Sequence, residues 1–358
     1  MFDTPDAARQ HFAEHFARPQ IEIMVEALEP SIIFAPAPAA KPRPGASRIG
    51  GTPDLPAGLV WPVPEFPANV AELATRGSPE ANEELKEHIA LKLPYAFFAQ
   101  VDLAEAKGLG AAAAELPEEG RLLFFYDLMA GPYENGVWTG RVIWDRSPVE
   151  ALTTQPLPEP LKKASDERRK FNAELDERMR KEYGGDAVVS SPDAGTPYDG
   201  PARTMALKAT LRPPAKEAIE VERYPKLKAE LAKQSENYEE TFSDQYGEMF
   251  GERFDPYYDA KNRGHRNQLL GGPLPEQSDP RYDAVVVSEF GKQHLASEEW
   301  KTRFPEIEAK AKDWRLLFQI DVSDWMQDDG EGTVYFLIRA DDLKERRFER
   351  VIAVYQQT

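Results

Sequence analysis

Two stretches of the chain combine a strand-like apolar run with a pair of polar residues two positions apart. In the first, YAFFAQVDL, the aromatic and β-branched residues favour a strand. Gln100 and Asp102 then lie on one face of that strand, while Ala99 and Val101 lie on the other. The pattern predicts a strand with one buried face and one face that carries two polar groups.

The second such stretch, WRLLFQID, ends in Gln319 and Asp321, and it makes the chain look duplicated. In each copy a glycine pair comes before the strand, and a later glycine comes before another apolar strand, RLLFFY or TVYFLI. A final run, RVIW or RVIAVY, closes each copy. Several landmarks in one order indicate an internal repeat. We expect residues 48–145 and 269–355 to superpose as similar β-rich units, related by an approximate two-fold and sharing one core.

The expected fold class is α+β, with duplicated antiparallel β-rich units related by a pseudo-two-fold and a helical insertion between them. Residues 1–146 are predicted to hold an N-terminal helix and the first β-rich repeat. Residues 147–263 are predicted to form a charged helical insertion. Residues 264–358 are predicted to form the second β-rich repeat, packed with the first as one globular unit.

Helical periodicity dominates the region between the copies. A highly charged segment that begins at Leu161 carries Phe171, Leu175 and Met179 at positions i, i+4 and i+8, which form a narrow apolar stripe. A second long helix is expected to begin at Pro225. Its stripe comprises Leu227, Leu231, Tyr238, Phe242, Tyr246 and Phe250. Both stripes are predicted to be packing faces that lie over the repeats.

The N-terminal segment is predicted to be an amphipathic helix with Phe12 and Phe16 on its buried face. Within it, HFAEH from His11 to His15 matches the H-x-x-E-H zinc pattern. In that pattern two imidazoles one turn apart bind the metal, and Glu14 would act as base. We interpret the match as an ordinary helix end, because the pattern is short and acidic residues are plentiful along the whole chain. We therefore expect no bound metal and no cofactor.

The candidate binding or structural motif consists of four residues: Gln100, Asp102, Gln319 and Asp321. An aspartate with an amide partner is a possible catalytic pair. The alternative is that Asp102 and Asp321 each cap a short helix, with Glu105 or Asp324 reaching back to complete a capping box. We favour the capping interpretation, since caps are common at helix starts.

The chain is acidic and free of cysteine. Its 62 Asp and Glu residues outnumber its 44 Lys and Arg residues, for a formal net charge of -18 at pH 7. Such a charge repels a phosphate backbone and argues against nucleic acid as a partner. Without cysteine there is no disulfide, thiol nucleophile or thiolate metal site. The N-terminus lacks a signal-peptide pattern and no apolar run is long enough for a membrane helix, so we expect a cytoplasmic protein with no membrane partner.

No nucleophile elbow, spaced serine and histidine pair or phosphate loop occurs in the sequence. Two hypotheses remain. The first is a non-enzymatic cytoplasmic binding protein of the inhibitor or immunity type, which recognises a basic protein or peptide surface. The alternative is a small-molecule or glycan-acting protein that uses paired carboxylates near the repeat junction.

Six motifs carry a family resemblance: GGTPDLP with WP downstream, FFAQVDL, LPEEGRLLFFYD, HRNQLLGGPLPEQ, LLFQIDV and DDGEGTVYFLI. From about Ser47 to the C-terminus, the chain resembles the YwqG-like family (DUF1963), a bacterial domain family of unknown function. The resemblance implies an α+β fold with a duplicated β-rich unit, and it implies no particular activity or catalytic residue. The segment from Leu161 to Asp259 matches the family motifs least.

Overall fold

The computed structural model describes residues 1–37, 43–184, 191, 193–235, 239–254, 259–328 and 330–357. Its strands are, in chain order, β1 (Glu29–Pro36), β2 (Arg48–Ile49), β3 (Asp54–Pro56), β4 (Ala96–Asp102), β5 (Arg121–Tyr126), β6 (Gly140–Asp145), β7 (Leu152–Thr154), β8 (Arg203–Arg212), β9 (Gln268–Leu269), β10 (Trp314–Asp321), β11 (Thr333–Arg339) and β12 (Ile352–Gln356).

Ten of these strands form one antiparallel sheet, in the order β12-β11-β10-β9-β1-β8-β2-β4-β5-β6. The central strands β1 and β8 pair along the whole of β1, from Glu29 to Pro36. The two ends of the sheet come together, because Gly136, just before β6, exchanges backbone hydrogen bonds of 3.0 and 3.1 Å with Ala353 on β12. The sheet is therefore nearly closed. Strands β3 and β7 form a separate pair.

The main hydrophobic core lies between strands from the two ends of this sheet. Phe124 on β5 lies 4.6 Å from Phe318 on β10 and 5.2 Å from Phe336 on β11, measured between ring centroids. All three side chains are fully buried. Burial of apolar surface contributed by distant parts of the chain is the main force that holds the sheet in this form.

The helices are α1 (Pro5–Phe12), α2 (Arg18–Glu26), α3 (Pro79–Leu91), α4 (Leu103–Lys107), α5 (Glu159–Tyr183), α6 (Pro225–Leu231), α7 (Phe242–Phe254), α8 (Pro280–Phe290), α9 (Ser297–Ala311), α10 (Val322–Met326) and α11 (Ala340–Lys344). Helices α8 and α9 share an apolar cluster with β10, β11 and β12. The α+β class is therefore confirmed.

Among the described residues, no helix combines the length and the apolar character that crossing a membrane requires.

The N-terminal helix forms, but it ends at Phe12, so that Phe16 lies in the turn that follows it. The Thr4 hydroxyl oxygen accepts a hydrogen bond of 3.1 Å from the Ala7 backbone N–H, which caps the first turn of α1. Phe12 and Phe16 are buried in a cluster to which α2, α6 and α7 also contribute. The helix predicted from Pro225 is in fact two helices, α6 and α7. Their apolar positions are a packing face, but they pack in this cluster with α1 and α2 and not over the repeats. Tyr238 lies outside the described residues.

Residues 147–263, predicted to form a charged helical insertion between the repeats, are not helical throughout. This segment contributes β8, which lies near the centre of the large sheet between β1 and β2. Along β8, Met205 and Leu207 are buried while Lys208 is exposed. A single strand is easily overlooked between two long charged helical segments, even though β8 spans 10 residues. The central position of β8 makes the segment part of the fold and not an addition laid over it.

Candidate functional site

The two glutamines of the sequence motif make structural bonds. The Gln100 side chain is fully buried, and its carbonyl oxygen accepts a 3.0 Å hydrogen bond from the Asp54 N–H. Its amide donates to the Ala46 carbonyl at 2.8 Å. Gln319 is equally buried, accepts from the Leu274 N–H at 2.9 Å and donates to the Arg266 carbonyl at 2.7 Å. Each glutamine thus satisfies backbone groups on both sides of the short strand, β2 or β9, that pairs with its own strand.

The two aspartates cap short helices. An Asp102 carboxylate oxygen accepts from the Ala104 N–H at 3.0 Å at the start of α4, and the other oxygen pairs with Arg43. An Asp321 oxygen accepts from the Ser323 N–H at 2.8 Å and from the Ser323 hydroxyl at 2.7 Å at the start of α10. Burial raises the pKa of Asp321, while the Ser323 hydrogen bond opposes that rise.

The predicted capping boxes do not form. Glu105 accepts from the Leu207 N–H and from the Ser47 hydroxyl, both at 2.7 Å, and so ties α4 to β8. Asp324 pairs with Arg203 at 2.8 Å and accepts from the Asn267 amide at 2.5 Å. Both acids therefore connect to partners distant in sequence, which offer stronger or better-placed donors than the local N–H. These residues hold the fold together and give no support to the paired-carboxylate hypothesis.

A cleft of about 650 Å³ lies where the end of α1 meets the end of α7. We call it the histidine cleft, and it is lined by Met1, His11, Glu14, His15, Glu252, Arg253, Asp259, Lys261, Asn262 and His265. The sequence analysis considered three of these residues together, namely His11, Glu14 and His15. His265 joins them only through the fold, so no spacing rule could have identified it.

Three side chains in the histidine cleft lie within reach of a single ion. The ligand atoms of His11, Glu14 and His15 are all within 4.8 Å of one another. The Glu14 carboxylate lies 3.7 Å from His11 Nδ1 and 4.0 Å from His15 Nε2. Imidazole and carboxylate together form a donor set suited to a divalent transition metal.

Charges of both signs line the histidine cleft. Burial and the nearby Arg253 guanidinium lower the pKa of His11, which favours its neutral form. The Arg253 guanidinium lies over the Phe2 ring, 4.8 Å from its centroid. Lys261 is paired with Asp259 at 2.6 Å. His265 Nδ1 lies 2.8 Å from the Arg253 carbonyl oxygen, the geometry of an Nδ1–H donor.

The far half of α5 presents a second distinctive surface. Phe171 is 50 % exposed, Leu175 38 % and Tyr183 56 %. Together with the half-buried Met179 they form what we call the α5 stripe. The prediction that this stripe is a packing face within the chain is wrong, because its residues are exposed to solvent. An apolar row of this length on a charged helix is unusual for a surface without a partner.

Comparison with known proteins gives one family match. The model of the family described as "Domain of unknown function (DUF1963)" matches residues 47–356. No curated protein matches the chain.

Proposed function

We propose that the protein, which belongs to the DUF1963 family, is a non-enzymatic binding protein that docks a basic protein or peptide on its α5 stripe. The observation that carries the proposal is the exposure of Phe171 and Leu175 on a helix of 25 residues. Large exposed apolar groups in a row cost free energy that a partner recovers by covering them.

The near half of α5 is held firmly, which makes its far half a rigid platform. Leu161 and Ala164 are buried in the cluster that includes Leu55 and Phe97. Arg169 pairs with Asp199 at 2.9 Å. The stripe continues the same helical face, so its side chains are presented in one direction on a backbone that is already folded before binding.

The charge of the chain favours a partner of positive sign. The net charge of -18 generates a field that speeds the approach of basic molecules and slows that of acidic ones. The stripe then supplies apolar contact after the encounter. Binding without turnover suits an inhibitor or immunity role, in which one protein covers the surface of another.

The test uses synthetic helices of defined chemistry. An amphipathic Leu/Lys peptide is expected to bind the full chain, and a Leu/Glu peptide of the same length is not. Phe171→Gln with Leu175→Gln should weaken Leu/Lys binding at least about tenfold, since two anchors are lost. Val60→Gln with Val63→Gln is the matched control, because both residues are exposed apolar side chains, at 77 % and 50 %, outside α5.

Three results would contradict the proposal. One is equal binding of the Leu/Lys peptide to the stripe variant and the control. Another is an association rate that does not change between about 0.05 and 0.5 M salt, where screening shortens the range of the field severalfold. The third is a stripe-dependent homodimer in sedimentation analysis, which would assign the stripe to a second copy of this chain.

We also propose that the chain arose by duplication, with its halves related by a pseudo-two-fold. The strand order supports this, since β2-β4-β5-β6 and β9-β10-β11-β12 run outward from the two sides of the central pair. The matching bonds of Gln100 and Gln319 support it further. Superposition of the first four strands on the second four should give a rotation close to a half-turn, and any other angle would contradict the two-fold.

A further inference from the structure

We propose that the histidine cleft binds a divalent transition-metal ion of the zinc type, with His11, Glu14 and His15 as its first three ligands and His265 as the fourth. This proposal replaces the expectation from sequence that no metal is bound. It shares no residue with the α5 stripe and does not depend on the proposed binding function.

The geometry of the first three ligands requires little adjustment. Zinc at about 2.0 to 2.1 Å from each donor places tetrahedral donors about 3.3 Å apart. The Glu14 oxygen is already 3.7 Å from His11 Nδ1 and 4.0 Å from His15 Nε2. Small rotations of exposed side chains close the remaining gap, because such rotamers interconvert freely at a surface.

The local chain conformation explains why the two imidazoles are adjacent. Helix α1 ends at Phe12, and the chain continues in a turn whose Phe16 N–H donates to the Phe12 carbonyl at 2.8 Å. Both phenylalanines are buried and hold the turn against the cluster of α2, α6 and α7. His11 and His15 are therefore kept four residues apart on the outer side, with ring centroids 5.5 Å apart.

His265 carries the hydrogen bond typical of a ligating histidine. Its Nδ1 lies 2.8 Å from the Arg253 carbonyl oxygen. A neutral imidazole that donates from Nδ1 presents its lone pair at Nε2. Backbone carbonyls commonly orient metal-binding histidines in this way. The fold thus brings a third histidine to a cleft in which the sequence motif supplies two.

The charge of the cleft is compatible with a cation. Glu14, Glu252 and Asp259 supply three carboxylates against the two cations Arg253 and Lys261. Lys261 is already compensated by its pair with Asp259. A dication would neutralise the remaining carboxylates, and the absence of cysteine from the chain directs such an ion to imidazole and carboxylate donors.

The test is calorimetric titration of chelator-treated full-length protein with Zn²⁺, followed by Co²⁺ absorption spectroscopy. We expect one equivalent of Zn²⁺ and the intense visible bands of four-coordinate Co²⁺. His11→Ala with His15→Ala should lower the affinity at least about a hundredfold, and His265→Ala about tenfold or more. His294→Ala is the matched control, because His294 is exposed and does not line the cleft.

The melting temperature of each variant without metal is measured alongside, so that loss of fold is not mistaken for loss of a ligand. Absence of saturable Zn²⁺ binding would overturn the proposal. So would an affinity that is the same in the His11→Ala with His15→Ala variant as in the His294→Ala control. An unchanged affinity in His265→Ala alone would remove the fourth ligand and contradict the four-residue site.

Discussion

Trp325 on α10 stacks on Phe98 of β4, with ring centroids 4.2 Å apart and planes inclined by only 8°. The Trp325 indole N–H also donates to the Phe97 carbonyl at 3.2 Å. Both rings are fully buried. Residues more than two hundred positions apart in sequence thus form one stacked pair, which ties the C-terminal strands to the N-terminal ones.

Removing this contact should destabilise the whole protein. We expect Trp325→Ala to lower the free energy of unfolding by about 3 to 5 kcal/mol, because it leaves a large cavity in the core and removes the indole hydrogen bond. Denaturant unfolding should remain a single transition, monitored by circular dichroism. Trp144→Ala, at a half-buried position, is the control with a smaller loss. Two separate transitions would show that the halves are independent domains.

The two capping aspartates should respond differently to replacement by asparagine. Alanine at Asp102 or Asp321 is expected to cost about 0.5 to 2 kcal/mol, the usual loss for a helix cap. Asparagine keeps the acceptor at both sites. At Asp321 burial raises the pKa of the carboxyl, so asparagine also removes an unfavourable buried charge.

Asp321→Asn should therefore be at least as stable as the original protein at pH 7 in urea unfolding. Asp102→Asn should be slightly less stable than the original protein, because it loses the ion pair with the exposed Arg43. If asparagine were as damaging as alanine at both positions, the charge itself would matter and the capping account would fail.

Asp283 should make stability depend on pH. Burial raises its pKa from 3.8 to about 6, against the opposing effects of the Gln356 hydrogen bond and of His294, while Asp279 adds to the rise. The folded state then holds the proton more tightly than the unfolded chain. The contribution of the Asp283 carboxyl group to the free energy of unfolding is therefore full below pH 3.8 and is lost as the pH rises to about 6.

Asp283→Asn imitates the protonated side chain and keeps an acceptor for Gln356. We expect this variant to be more stable than the original protein by roughly 1 kcal/mol at pH 7.5 and about equally stable at pH 4. The gain is smaller than the free energy that corresponds to the whole pKa shift, because the Asp283 side chain is partly exposed. Thermal unfolding at both pH values measures this. The exposed Asp313→Asn should change stability by less than about 0.5 kcal/mol at either pH.

Arg281 should not tolerate lysine. It is buried on α8, and its guanidinium makes bonds of 2.7 and 2.6 Å to Glu220 and of 2.8 and 2.6 Å to Asp279. An ammonium cannot reproduce this planar double fork, and it would leave buried carboxylates without partners. We expect Arg281→Lys to cost roughly 3 kcal/mol in denaturant unfolding.

Arg303→Lys is the matched control for that substitution. Arg303 also pairs with two acids, Glu299 and Glu306, but its side chain is 42 % exposed, whereas that of Arg281 is buried. Exposed pairs of this kind contribute about 0 to 1 kcal/mol. Equal losses in the two variants would mean that the fork geometry at Arg281 is unimportant.

Much of the local structure could be predicted from the sequence. The capping of α1 by Thr4, the burial of Phe12 and Phe16, and the strand character of β4 and β10 all depend on neighbours within a few residues. The aspartate that ends each strand also indicated where α4 and α10 would begin.

Only the tertiary structure decided which apolar faces are covered. The stripes of α5 and α7 have the same helical spacing, yet Tyr246 is fully buried and Phe171 is half exposed. The difference lies in what each helix meets, since α7 lies against α1 and α6 while the far half of α5 extends beyond its buried first turns. Helical periodicity predicts which face of a helix is apolar, but it does not predict which element packs against that face.

The same reason explains the central position of β8 and the place of His265 in the histidine cleft. The sequence alone determined that His11 and His15 lie about one turn apart, because side chains four residues apart are neighbours on a helical turn. His265 is distant from both in sequence and lines the same cleft only because of the tertiary fold. Contacts between positions so distant depend on the free energy of the whole fold, which no local pattern contains.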